Sequence, residues 1–140
     1  MRIRKIRRKE VGDRFKFRVY IKYAKMMCYD VNSFYKDRLK NKITIHFDGH
    51  TKTFKFDDVV LEQCTGLKDK NGKLIYEGDI LKCVHSDIMK YKIYWGRSCW
   101  RMKVYGTNNT IVDDANLFLD TDILEVIGNI HENADLLGEK

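Results

Sequence analysis

The sequence predicts a mostly β, barrel-like domain, and three observations carry that prediction. Apolar and polar residues alternate over several short stretches, tight-turn dipeptides separate them, and hardly any segment has helical periodicity. At 140 residues, with 44% apolar and 34% charged side chains, the chain has single-domain length and can bury a core without metal or disulfide staples. It contains no proline, so its turns must be built from Gly, Asn and Asp.

Residues 1–14, "MRIRKIRRKEVGDR", set seven basic residues against Glu10 and Asp13, a net +5 of the chain's +7. They read as a basic N-terminal arm ahead of a β domain at 15–140. A short basic arm suits contact with phosphates, and Arg2, Arg4, Lys5, Arg7, Arg8 and Lys9 are its candidate nucleic-acid contacts. The competing reading is a solvated tail or a charged edge that resists aggregation.

In "FKFRVYIKY", Phe15, Phe17, Val19 and Ile21 alternate with Lys16, Arg18, Tyr20 and Lys22, which predicts a strand buried on one face. "DVNSFYKDRLKNK" places Phe34, Tyr35 and Leu39 at near-helical spacing and reads as a short helix or an ordered loop. "KITIHFDGHTKTFKF" runs Ile43, Ile45 and Phe47 into Asp48-Gly49 and resumes with Phe54 and Phe56. Asp-Gly between alternating runs signals a hairpin, because the turn needs a positive φ that Gly adopts freely.

"TGLKDKNGKLIYEGDILK", residues 65–82, carries turn chemistry at Asp69-Lys70-Asn71-Gly72 and again at Glu77-Gly78. Abrupt turns between short strands are what a small SH3-like barrel requires. Glu77 and Asp79 share a strand face, yet a turn places them in water and no neighbour separates their pKa values, so they are not read as an acid/base pair. "DKNGK" lacks the spacing of a phosphate-binding loop. The cysteines at 28, 64, 83 and 99 include no C-x-x-C pair; they read as reduced structural thiols rather than as a metal site with His85. Neither a catalytic residue, nor a cofactor, nor a metal is expected.

"YKIYWGRSCWRMKVY", residues 91–105, is the best binding candidate within the domain. Tyr91, Ile93 and Trp95 fall on one strand face, and after Gly96 so do Trp100, Met102 and Val104. Lys92, Arg101 and Lys103 share the other face with Tyr94 and Tyr105, a mixture able to stack bases and neutralise phosphates. The plainer reading is a hairpin whose aromatic side chains fill the core. No apolar run approaches the ~20 residues of a membrane span, so a cytoplasmic protein without a membrane partner is expected.

Residues 65–82 resemble the signature of the YopX family of phage and prophage proteins. "FKFRVY" followed by "AKMMCYDV" is similar to that family's opening strands, and "LEVIGNIHENADLL" to its closing strand and short terminal helix. The resemblance spans about residues 15–140. It departs from the family at Ala134, where Pro is frequent, and in the fourteen residues before Phe15, which lie outside the family pattern. It implies a mostly β, barrel-like (SH3-like) YopX-type domain with N-terminal strands packed on it and a short C-terminal helix, and it supplies no catalytic residues. The function expected is that of a non-enzymatic phage or prophage accessory protein binding a host or phage protein. The alternative is a nucleic-acid-binding accessory or regulatory protein using the arm and the 91–105 hairpin. A second copy of the chain is a further partner the sequence allows.

Overall fold

The computed structural model describes residues 15–117 and 121–138. The chain divides into two compact units between Cys64 and Thr65. Among the described residues no helix is long and apolar enough to cross a membrane.

In the first unit, β1 (Phe17–Ile21), β2 (Met26–Asp37), β3 (Lys42–Phe47), β4 (His50–Lys55) and the start of β5 (Val59–Lys68) form an antiparallel sheet in the order β4-β3-β2-β1-β5. Asp48-Gly49 makes the expected two-residue turn, pairing Phe47 with His50 at φ of 48° and 79°. The stretch expected to be a short helix or a loop is instead most of β2. It is twelve residues long, and pairing with β3 puts Phe34 opposite Ile45 and Tyr35 opposite Thr44, on opposite faces. The apparent helical spacing of Phe34, Tyr35 and Leu39 has no role, because Leu39 sits in the loop after β2 with its side chain 99% exposed.

The core of this unit is Val19, Ile21, Cys28, Ile43, Ile45, Phe47, Phe54 and Val59, all from one face of the sheet. Ile43 of β3 and Val59 and Leu61 of β5 line one groove although β2 and β1 lie between them in the hydrogen-bonded order, so the sheet curls over its own apolar face. Register shifts between Phe17 and Val19 and between Val31 and Ser33 mark bulges, which bend long strands without closing them. The expected barrel is therefore not closed: among the described residues the order of strands ends at β4, whose edge carries Lys52 and Lys55. Nor is β1 buried on one face only. Arg18 and Tyr20, placed by alternation on the solvent side, are 1% and 9% exposed, and Arg18 Nε donates to Glu62 Oε1 at 3.0 Å across β1 and β5.

In the second unit, β7 (Asp79–Cys83), β8 (Lys90–Gly96), β9 (Cys99–Tyr105), β10 (Ile111–Asn116) and β11 (Leu124–Asn129) form an antiparallel sheet in the order β10-β9-β8-β7-β11. The short β6 (Leu74–Tyr76) pairs with β5. Ile75, Leu81, Ile93, Leu117 and Leu124 form a core on one face, and Ile80, Tyr105 and Leu137 another on the opposite face. Burial of adjacent Ile80 and Leu81 follows from covering both faces, which explains why "DILKC" alternates poorly.

The buried Thr65, Asp69 and Asp79 of 65–82 are engaged with backbone. Thr65 Oγ1 donates to Ile75 O at 2.8 Å and accepts the Leu67 amide at 3.1 Å. Asp69 Oδ1 accepts the amides of Asn71 and Lys73, each at 2.9 Å, and Oδ2 accepts that of Val126 in β11, also at 2.9 Å. The expectation that Asp79 lies in water is corrected: it is 2% exposed, and its Oδ2 accepts the Tyr76 amide at 2.8 Å.

The expected short C-terminal helix is a single 3₁₀ turn, Ala134–Leu137, ended by Gly138 at φ 75°. Asn133 precedes it without capping it through its side chain; its Oδ1 instead accepts the Asn129 amide at 3.2 Å. Four residues supply one turn and no more, and docking of Leu137 beside Ile80 holds it in place.

Candidate functional site

β8 and β9 are joined by two residues, Arg97 and Ser98, with φ of 51° and 61°. A two-residue hairpin needs positive φ at both positions, which Asn and Gly normally supply. Non-glycine residues there cost roughly 1 kcal/mol each in strain. Replacing Arg97-Ser98 by Asn-Gly is therefore expected to raise stability by about 1 kcal/mol, read from the urea midpoint.

The register brings Trp95 opposite Trp100, Tyr94 opposite Arg101, and Gly96 opposite Cys99. On one face the two indoles meet edge to face, with centroids 5.0 Å apart. Trp100 packs on the core with Tyr91 and Met102, while Trp95 is 55% exposed. One indole thus braces the other, and a large apolar side chain is presented at the surface two positions before the exposed Arg97.

The opposite face is polar and interlocked. The Tyr94 ring lies across Gly96, where a Cβ would come within 2.9 Å of a ring carbon. Arg101 donates from Nε to Asp114 Oδ1 at 2.9 Å and to the Tyr94 hydroxyl at 3.2 Å; Nη2 lies 2.7 Å from Asp114 Oδ1, and Nη1 donates to Asn116 Oδ1. The Tyr94 hydroxyl donates to Asp114 Oδ2. That bond, with the Arg101 bond and charge, holds the Asp114 carboxyl below the usual carboxylate range against the effect of burial. Lys103 Nζ stands 5.4 Å from the Tyr94 ring centroid.

Of the nucleic-acid candidates read from the sequence, Lys92 and Lys103 are half-buried cross-strand neighbours. The Arg101 guanidinium is already occupied by Asp114 and Asn116, so it fastens β9 to β10. Arg2, Arg4, Lys5, Arg7, Arg8 and Lys9 lie outside the described residues. The hairpin also belongs to an acidic unit, since residues 65–140 contain 10 basic and 12 acidic side chains.

Cys28 and Cys64 are buried and Cys83 and Cys99 half-buried, all as free thiols. Burial, with Asp48 nearby, pushes the Cys28 thiol up. Among the described residues no group of three or more His, Cys, Asp or Glu could hold a metal ion. The first unit carries a groove of about 340 Å³ lined by Ile43, Val59 and Leu61 together with Lys36. The hairpin offers an aromatic pair anchored through Trp100 and the exposed cation of Arg97.

The family model described as "YopX protein" matches residues 16–138. A crystal structure of protein EF1440 from Enterococcus faecalis is 30% identical over 87% of this chain and 96% of that one, with a TM-score of 0.47. No curated protein matches the chain.

Proposed function

The chain belongs to the YopX family, and from that premise we propose that it is a non-enzymatic phage or prophage accessory protein that binds a host or phage protein in the bacterial cytoplasm. The observation that carries this reading is the exposed Trp95, braced by Trp100 near the tip of the β8–β9 hairpin. Trp, Tyr and Arg are the residue types that dominate binding energy at protein interfaces, and they do so when held in place before the partner arrives. The acidic balance of residues 65–140 favours a protein partner over nucleic acid for this surface.

We read the second unit as SH3-like in connectivity. In support, its last strand returns beside its first, giving the order β10-β9-β8-β7-β11, and a 3₁₀ turn at Thr121–Ile123 precedes that strand.

Trp95→Ala is expected to weaken partner binding by about 2 kcal/mol, roughly thirtyfold, while leaving the thermal midpoint nearly unchanged. Tagged wild-type and Trp95→Ala chains would be used to retrieve proteins from infected-host lysate, followed by titration of whatever the wild type retains. Equal retention by both forms would reject the hairpin as the binding surface.

A further inference from the structure

A second surface, independent of the hairpin, lies at the end of the first unit's curled sheet. Three concavities there share lining residues. The groove floored by Ile43, Val59 and Leu61 shares Phe56 with a neighbouring polar one of about 400 Å³, lined also by Lys40, Asn41, Lys42, Lys55 and Asp57. That one shares Lys42 and Lys55 with a third, of about 310 Å³, bounded by Tyr23, Phe54 and Asp58. The result is a trough in which the exposed Tyr23 and the half-buried Phe56 stand among lysines, while Phe54, 4% exposed, belongs to the core.

Its shape is set by the fold. The two-residue turn after Phe47 forces Lys42 opposite Lys55 at the far end of the β3–β4 hairpin, where the Phe56 amide donates to Asn41 O at 3.0 Å. The loop after β2 is held by the Lys40 amide on Asp37 Oδ1 at 3.2 Å, which brings Lys40 to the same end. Lys52 Nζ stands 5.6 Å from the Tyr23 ring centroid and 5.3 Å from that of Phe54. Among the described residues none of Lys36, Lys40, Lys42 and Lys55 is in an ion pair, whereas Lys70 and Lys82 both lie 3.6 Å from Glu125. Residues 15–64 contain 10 basic and 6 acidic side chains, the reverse of the second unit's balance.

We propose that this trough binds single-stranded nucleic acid, the lysines taking successive phosphates and the apolar groove beside Phe56 taking an unpaired base. Charge complementarity selects an anionic ligand, and the accessible rings of Tyr23 and Phe56 beside those cations favour one that carries flat apolar groups along with its charges. A duplex keeps its bases stacked inside and presents nothing to the groove. The proposal goes beyond the hairpin reading and does not depend on it.

The test is fluorescence anisotropy of the full-length protein with a labelled oligothymidylate of about 12 nucleotides, within the usual site size of single-strand-binding domains. The comparisons are a duplex and an abasic strand of equal length, and an acidic polypeptide as competitor. The expected order is oligothymidylate first, with the abasic strand at least about fivefold weaker because it has no base to stack. Charge reversal of Lys40, Lys42 and Lys55 together is expected to weaken binding at least about tenfold and to flatten the log–log salt dependence by about 2, from ~0.7 per phosphate. These side chains are exposed, so the circular dichroism spectrum should not change. Reversal of Lys92 and Lys103 in the second unit is expected to leave affinity as it was. The proposal is overturned if the triple reversal leaves affinity intact, if duplex or acidic polypeptide binds as well as the single strand, or if no binding is seen at low salt.

Discussion

Replacing Arg18 by methionine is expected to destabilise the protein by about 3–5 kcal/mol, the cost of breaking a buried ion pair. Arg18 and Glu62 are 1% and 3% exposed, directly opposite one another on β1 and β5, and joined at 3.0 Å. Removing the guanidinium takes from the buried Glu62 carboxylate the cation that faces it at 3.0 Å. Glu62→Leu should cost a similar amount by taking that carboxylate from the buried Arg18. The double variant Arg18→Met/Glu62→Leu is expected to recover most of the loss, because two apolar groups of similar volume need no compensation. Urea unfolding of the four proteins closes the cycle. Additive losses in the double variant would show that packing of the two stems, and not the paired charge, sets the cost.

Acid is expected to loosen the second unit through Asp69. Burial pushes its carboxyl up, but the amides of Val126, Lys73 and Asn71 outweigh burial and hold it below the usual range. A carboxyl lowered on folding contributes stability that is fully present above its unfolded pKa, about 3.9, and is lost as pH falls through the lower folded value. Asp69→Asn presents a donor where the carboxylate accepted three amides, and is expected to cost about 3 kcal/mol at neutral pH. It should also flatten the dependence of the unfolding midpoint on pH below about pH 4. A variant as acid-sensitive as the wild type would show that other carboxylates govern the acid limb.

What could be read in advance was what is local. Asp48-Gly49 needs only its own backbone preferences and the alternating residues beside it, so its hairpin was legible. Arg18 was assigned to solvent because its partner lies 44 residues away, and alternation reports which side chains share a face, not whether that face is covered. Arg101 looked available for the same reason: Asp114 and Asn116 sit on β10, and nothing within the hairpin announces them. Asp69 was recognised as a turn residue from its neighbours, while its bond to Val126 depends on β11. The trough, by contrast, left a signal that a register argument would have found. Once the turn pairs Phe47 with His50, Lys42 must face Lys55 and Thr44 must face Thr53, so the basic end of the hairpin follows from the sequence.

The return of β11 to the side of β7 also governs when the protein can fold during its own synthesis. Among the described residues, every strand pairing within the first unit is complete once Gln63 has been made. The edge of β7 that ends the second sheet waits for Leu124 to Asn129. At about 5–20 residues per second, translation leaves that edge, with Ile80 and Leu81 along it, without its partner strand for several seconds. Such an edge is where nascent chains associate with one another, so a chain released short of Leu124 would expose a segment prone to aggregation.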